Sequence, residues 1–268
     1  MAYTSLQFSL LVPTVSPVRI FYRESGSGAP LIFLHGGWGY EIYPFASQVA
    51  ALNSDHHCIM PDRSGYGRSD HLINELPADF HYHAATETLS LMDALGIESA
   101  SFWGHSDGAV IAAILGFTAP ERVRRIILEA FHYYGQKARS RNFFEVLAHQ
   151  PEMLGVELCE QFAQEHGKDY WRQLITTHAH AWLELGARSR GPRDDLYGGR
   201  LREITAPVLI VHGRLDPRTE PGEMDDVIVQ LPHGEVHILD QGMHSPHSES
   251  VTVDDVTAIA REFLSKQR

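Results

Sequence analysis

The amino-acid sequence predicts an α/β protein with a mainly parallel, eight-stranded sheet and helices on both faces. Two observations support this prediction. Short apolar runs alternate along the chain with segments of helical periodicity, and several of these runs are apolar throughout, as in strands that are covered on both faces. The predicted strands are Leu6–Val12, Val18–Arg23, Leu31–Leu34, His57–Met60, Ser99–Trp103, Val123–Leu128, Pro207–Val211 and Val236–Leu239.

Segments with helical spacing follow most of these strands. One of them ends before Gly96, a residue type that commonly terminates helices. The predicted helices between the strands are Pro44–Leu52, Thr86–Leu95, Asp107–Phe117, Gly222–Gln230 and Thr252–Leu264. Because strands and helices alternate, sequential strands are expected to lie parallel with the helices packed across both faces of the sheet.

Residues 131–202 interrupt this alternation. They carry no strand signal, and helical spacing recurs at Phe143–His149, Leu158–His166 and Tyr170–Leu185. We therefore expect residues 1–130 and 203–268 to form the core, with a helical cap inserted at 131–202. Ligands of open α/β sheets bind beyond the carboxyl ends of the strands, where such an insertion is able to cover them.

Length and charge limit the possible functions. The chain has 268 residues, of which 43% are apolar and 21% are charged. A chain of this length buries roughly 70–75% of its unfolded surface, so it needs neither a disulfide nor a metal to fold. The formal charge of −12 repels polyanions on average, so nucleic-acid binding is not expected.

Neither metal binding nor membrane association is predicted. Cys58 and Cys159 lack the spacing of metal ligands, and His178 and His180 are two residues apart, which places them on different faces of a helix. The N-terminus has no signal-peptide pattern, and no apolar run is long enough to span a bilayer. We expect a cytoplasmic protein with no cofactor.

The pentapeptide Gly104-His105-Ser106-Asp107-Gly108 matches the G-x-S-x-G pattern. It lies directly after a predicted strand and directly before a predicted helix, the context in which this pattern forms a nucleophile elbow. A sharp turn between strand and helix exposes the serine hydroxyl, and glycines on both sides avoid clashes that Cβ atoms would cause. The sequence therefore predicts Ser106 as a nucleophile.

Four further motifs occur with this pentapeptide. HGG lies at 35–37, DRSGYGRS at 62–69, HGRLDP at 212–217 and GMH at 242–244. In order and spacing the chain resembles the α/β-hydrolase fold serine hydrolases over nearly its whole length. Within them, the SDG at the elbow and the compact helical insertion look most like valacyclovirase-like carboxylesterases, although Ala109 stands where those enzymes usually have a second glycine.

The resemblance implies an acid and a base for the serine. Asp216 follows a predicted strand where the family places its acid, and His244 follows the last strand where the family places its base. Glu129 is an alternative acid, since some members use the strand that it ends, and His247 is an alternative base. Asp216 also has the ordinary explanation of a turn residue before proline.

The resemblance also implies an oxyanion hole of backbone N–H groups. One donor is the N–H of Asp107, and the second comes from the HGGWG loop, at Gly37 or Trp38. In valacyclovirase-like esterases the residue matching Asp107 binds the amino group of the substrate. The same carboxylate is also explained without a ligand, because an acidic residue in the first turn stabilises a helix.

Aromatic residues are frequent in the insertion and suggest an apolar roof. Trp38, Phe131 and Tyr134 are the expected contacts of an acyl or aryl group. Each of these side chains is equally explained as part of a hydrophobic core.

The predicted function is that of a serine hydrolase cleaving a small carboxylic ester through an acyl-enzyme, with amino-acid esters among the candidate substrates. Lactone, amide or carbon–carbon bond hydrolysis and perhydrolysis need the same groups and stay open, as does a non-catalytic small-molecule receptor. Dehalogenases and epoxide hydrolases of this fold are disfavoured, because they place an aspartate at the position of Ser106. The expected partner is a small-molecule ester, and the chain is expected to be a monomer or a homodimer.

Overall fold

A computed structural model describes residues 1–7, 9, 11, 12 and 17–266 of the chain. Its single eight-stranded sheet has the strand order β1-β2-β4-β3-β5-β6-β7-β8. The strands are β1 (Ala2–Leu6), β2 (Val18–Ser25), β3 (Ala29–Leu34), β4 (His56–Pro61), β5 (Ala100–His105), β6 (Val123–Glu129), β7 (Val208–Gly213) and β8 (Glu235–Leu239). The β1–β2 and β2–β4 pairings are antiparallel, and the other five pairings are parallel, so β2 alone runs against the other described strands. The predicted fold class is confirmed.

Helices cover both faces of this sheet. They are α1 (Ala46–Leu52), α2 (Phe80–Ala94), α3 (Asp107–Thr118), α4 (Arg141–His149), α5 (Val156–His166), α6 (Trp171–Arg188), α7 (Glu223–Gln230) and α8 (Val253–Ser265). Strand β3 shows how the two faces are built, since alternate side chains of a strand point to opposite faces. Ile32 and Leu34 pack into the core on the side of α2 and α3, whereas Leu31 and Phe33 pack on the side of α8.

Helices α4, α5 and α6 lie between β6 and β7 and are called the helical insertion below. They contact one another and bury aromatic side chains such as Phe162 and Trp171. The carboxyl ends of β5, β6, β7 and β8 lead into the loops that carry the predicted site residues. None of the helices in the described part of the chain is long and apolar enough to cross a membrane.

Two element predictions were wrong in their bounds. The first strand is Ala2–Leu6 rather than Leu6–Val12; among the described residues after Leu6, the Ser9 hydroxyl accepts the Leu11 N–H, a local turn that ends the extended chain. Phe8 and Leu10 lie outside the described residues. Helix α2 begins six residues before the predicted Thr86. Its first turns bury polar side chains, so the apolar periodicity used for prediction is interrupted there.

Candidate active site

Ser106 lies at the turn between β5 and α3 in a strained backbone conformation. Its φ of 54° and ψ of −118° are rare for a residue with a side chain. The flanking glycines are required by close packing: a Cβ on Gly104 would lie 2.1 Å from the Gly108 carbonyl oxygen, and one on Gly108 would lie 1.9 Å from that of Leu34. The β5–α3 turn therefore passes close to both its own first helical turn and β3, which fixes the serine at the end of the sheet.

Three side chains from three loops form a continuous hydrogen-bonded row. His244 Nε2 lies 3.1 Å from Ser106 Oγ, and His244 Nδ1 lies 2.9 Å from Asp216 Oδ2. Because Asp216 accepts the Nδ1 proton, His244 Nε2 is left as the acceptor for the serine hydroxyl. The arrangement is suited to deprotonating Ser106 as it attacks, with the carboxylate holding the imidazole in the required tautomer.

The charges of this row favour a neutral histidine beside an ionised aspartate. Burial lowers the pKa of His244, and the neighbouring Arg218 lowers it further, against the opposing effect of Asp216. Burial alone would raise the pKa of Asp216, but His244 and the Arg218 backbone N–H hold it well below its usual range. At neutral pH the base is therefore free of its proton and able to accept one.

Two further histidines contact this row, and the sequence analysis missed both. His105 Nε2 lies 2.9 Å from the His244 carbonyl oxygen and so positions the backbone of the base. His132, in the loop after β6, places Nε2 3.3 Å from Ser106 Oγ, and its ring stacks on that of His244. Burial lowers the pKa of His132 well below its ordinary value, so its ring is neutral. No sequence motif marked it among 17 histidines.

The alternative acid and base, Glu129 and His247, pair with each other away from the serine. His247 Nδ1 lies 2.7 Å from Glu129 Oε1, and His247 Nε2 lies 3.0 Å from the Tyr43 carbonyl oxygen. Trp103 Nε1–H donates to the other Glu129 oxygen at 2.9 Å. Burial opposes ionisation of Glu129, but His247 outweighs it and lowers the pKa to about 2. Every polar atom of this pair has a partner other than Ser106.

Asp107, the residue after the nucleophile, is fully buried and accepts three side-chain hydrogen bonds. His81 Nε2 of α2 and Trp182 Nε1 of α6 contact Oδ1 at 3.0 and 3.1 Å, and His178 Nε2 of α6 contacts Oδ2 at 2.6 Å. Burial would raise the pKa of this carboxyl, yet His178 and His81 hold it well below its usual range. An incoming substrate amine would have to displace one of these donors, so the amine-binding role of Asp107 stays a prediction.

The cavity at Ser106 is small. The space open to the centres of water molecules is about 20 Å³, enough for one or two waters. Its walls come from the HGGWG loop, the elbow, the loops after β6, β7 and β8, and the helical insertion. They include Gly36, Gly37, Trp38, Tyr43, His105, Ser106, Asp107, His132, Phe144, His178, Trp182, Arg218 and His244.

The predicted oxyanion-hole residues Gly37, Trp38 and Asp107 therefore lie around the same cavity as Ser106. The structure does not bring Phe131 and Tyr134 to it. Phe131 stacks on Tyr197 in the core, and the Tyr134 hydroxyl donates to Asp226. Both residues are buried, with these partners in place of the cavity. Among the described residues, no group of three or more potential ligand side chains is arranged to hold a metal ion.

Comparison with known proteins agrees with this architecture. A family model described as "Alpha/beta hydrolase family" matches residues 31–256, and the chain belongs to this family. The serine hydrolase BPHL of Mus musculus is 24% identical over 93% of this chain and 84% of its own length. A 2-hydroxymuconate semialdehyde hydrolase of Pseudomonas putida is 27% identical over 84% of each chain. A thermophilic esterase from Thermogutta terrifontis superposes with a TM-score of 0.73 at 19% identity, covering 98% of each chain.

These similarities confirm the resemblance to α/β-hydrolase fold serine hydrolases. The relatives differ in their named activities. The shared family therefore identifies a hydrolase, but the type of bond cleaved depends on the site.

Proposed function

We propose that the protein is a serine esterase that cleaves a small carboxylic ester through an acyl-enzyme. The observation that carries this proposal is the row Asp216–His244–Ser106, with hydrogen-bond distances of 2.9 and 3.1 Å. A neutral imidazole within hydrogen-bond reach of a strained serine, itself oriented by a buried carboxylate, is the arrangement that activates a hydroxyl. The second half of the site supports the same chemistry, since Gly37 and the N-terminus of α3 border the cavity.

The proposed reaction has two steps. Ser106 Oγ attacks the ester carbonyl, His244 Nε2 takes the hydroxyl proton, and the backbone N–H groups of Asp107 and Gly37 or Trp38 stabilise the oxyanion. Collapse of this intermediate breaks the ester bond, and the alcohol leaves with the proton from His244. Water then attacks the acyl-enzyme with His244 again as base, and release of the acid restores the serine.

The acyl-enzyme is tested with a fluorophosphonate probe followed by mass spectrometry of the adduct. We expect stoichiometric labelling at Ser106, no labelling of Ser106→Ala, and slow labelling of His244→Gln. Hydrolysis of 4-nitrophenyl acetate with a burst of one 4-nitrophenolate per chain is expected from the wild type only. Labelling without turnover of any ester would favour the receptor alternative. Turnover of amides or carbon–carbon bonds in preference to esters would replace esterase by one of the open alternatives.

A further inference from the structure

The cavity at Ser106 contains one cationic side chain without an anionic partner, that of Arg218. Its guanidinium lies beside two aromatic rings that contact each other, 5.0 Å from the centroid of Trp38 and 4.5 Å from that of Phe143. Among the described residues, neither a carboxylate within ion-pair distance nor any hydrogen-bond acceptor contacts this guanidinium; only the backbone N–H of Arg218 is bonded, to Asp216. The group nevertheless lines the same cavity as the serine and His244.

Arg218 is half-buried, and the three buried arginines of the described chain show how unusual a guanidinium without an acceptor is in this molecule. Arg23 pairs with Asp62 at 2.6 Å and with Glu41. Arg63 donates to the carbonyl oxygens of Gly36 and His35, at 2.9 and 3.2 Å. Arg125 donates to a backbone carbonyl near the C-terminus. A planar guanidinium is normally satisfied by such oxygen acceptors, because its donors lose water when it is buried.

The nearby carboxylates are already occupied. Asp216 is held by His244, and Asp107 accepts hydrogen bonds from three side chains. Removal from water lowers the pKa of Arg218, although Tyr43, Asp216 and Asp107 act in the opposite direction without a direct contact to its guanidinium. The rings of Trp38 and Phe143, 6.0 Å apart, contact the guanidinium and make no hydrogen bond to it, so its N–H groups are left for a ligand.

We infer that Arg218 binds a carboxylate of the substrate, so that the preferred ester is one that carries a free carboxylate elsewhere in the molecule. This inference rests on the proposed esterase function and names its substrate class. The carboxylate accepts two N–H groups of the guanidinium in a bidentate pair. It also supplies the missing countercharge for Arg218 in a cavity where Asp107 and Asp216 are engaged.

Two matched pairs of esters test the inference. On the acyl side, 4-nitrophenyl hemiglutarate is compared with 4-nitrophenyl pentanoate; on the alcohol side, 3-acetoxybenzoate is compared with 3-acetoxybenzamide. We expect kcat/KM for the anion to exceed that of its neutral partner in one pair. Arg218→Met should lower this ratio by about 10–100-fold, the range of a hydrogen-bonded charge pair. Arg218→Lys, which keeps the charge without the fork, should lie between them.

Controls separate a contact from general charge effects and from misfolding. Arg214 lies on the same loop as Arg218, but it is exposed and pairs with Asp240. Arg214→Met should therefore keep the wild-type ratio. Thermal unfolding of Arg218→Met as one cooperative transition, like that of the wild type, shows that the variant is folded. Equal ratios in the wild type and Arg218→Met would overturn the inference, as would a preference for L-valine 4-nitrophenyl ester over both anions, which would favour an amine at Asp107.

A separate binding measurement distinguishes failure of the esterase proposal from failure of the carboxylate-binding inference. If no ester is cleaved in a Ser106-dependent manner, the esterase proposal fails, and binding is then measured on Ser106→Ala. Glutarate should raise the melting temperature of Ser106→Ala, whereas glutaramide should not, and Ser106→Ala/Arg218→Met should not respond. Loss of the glutarate effect in the double variant supports carboxylate binding at Arg218, and an equal or absent effect in both proteins overturns it.

Discussion

Two carboxylate–histidine pairs lie near the end of β5, and only one of them reaches the serine. The Asp216–His244 and Glu129–His247 contacts are similar in length, 2.9 and 2.7 Å. They differ at the second ring nitrogen. His244 Nε2 faces a hydroxyl, which both accepts and donates, whereas His247 Nε2 faces the Tyr43 carbonyl oxygen, which only accepts. A carbonyl oxygen only accepts, so a ring nitrogen that bonds to it must carry a proton. A hydroxyl also donates, so the ring nitrogen facing it can be without a proton and can take one.

The comparison teaches that the partner of the second nitrogen separates a histidine placed to accept a proton from one that is held in place by its surroundings. With Glu129 at Nδ1 and a carbonyl at Nε2, both nitrogens of His247 face acceptors other than the serine. The His247 ring is further enclosed by Phe45, which stacks on it at 4.1 Å between centroids. We therefore expect mutation of the Asp216–His244 pair to lower activity, and mutation of the Glu129–His247 pair to lower stability.

The largest expected effect is on the Asp216 pair. Asp216→Asn removes the acceptor that fixes the tautomer of His244, and kcat for a neutral ester should fall by about 10⁴-fold. Steady-state kinetics and the fluorophosphonate labelling rate measure this loss. A folded Asp216→Asn protein that retains more than a tenth of the activity would show that His244 does not depend on Asp216.

The matched change in the other pair should affect stability. Glu129→Gln replaces one carboxylate oxygen by an NH2 group, so a buried donor of His247 or Trp103 loses its acceptor, and the free energy of unfolding should drop by about 1–3 kcal/mol. Denaturant unfolding measures the drop, and kcat of the protein that stays folded should change by less than about tenfold, since the Glu129 side chain contacts His247 and Trp103 and not Ser106. A stable but inactive Glu129→Gln enzyme would contradict the structural role.

A smaller effect is expected at His132, which contacts the serine and belongs to neither carboxylate–histidine pair. Because its neutral ring donates to Ser106 Oγ at 3.3 Å, His132→Gln should slow labelling of Ser106 by about 2–10-fold, the value of one ordinary hydrogen bond. His149→Gln, a change on α4 away from the cavity, is the control. A loss as large as that in His244→Gln would make His132 a second base.

The smallest change is one of pH dependence. His244 must be neutral to act, and burial together with Arg218 lowers its pKa below the ordinary 6.5. The acid limb of kcat/KM should therefore lie below pH 6.5, with full activity above it. Arg218→Met should move the acid limb to higher pH, because the charge that lowers the pKa of His244 is removed. The other charged or titratable groups near the His244 ring, Asp216, Lys137, His105 and His132, are unchanged in this variant. A limb that stays put in the neutral-ester profile would show that Arg218 does not act on His244.

The sequence was informative where chemistry is local in the chain. The nucleophile turn at Ser106, the strands around it and the positions of Asp216 and His244 all follow from motifs or periodicity. Contacts between distant loops left no such signal. His132 and Arg218 approach the serine because the loops after β6 and β7 fold over it. Phe131 and Tyr134 were expected at the cavity for their aromatic character, but their partners are Tyr197 and Asp226, distant residues that the aromatic character does not reveal.

The hydrogen bonds of Asp107 bear on how a substrate enters. Two of its three donors, His178 and Trp182, belong to α6 of the helical insertion, while only His81 belongs to the sheet region. Moving α6 outward strips two donors from a carboxylate, and hydrogen bonds to a charged group contribute about 1.5–3 kcal/mol each. By these two contacts alone, a form with α6 displaced would be populated below about one molecule in a hundred. An ester too large for the cavity would then bind with an apparent affinity lowered by that fraction, since only the displaced form admits it.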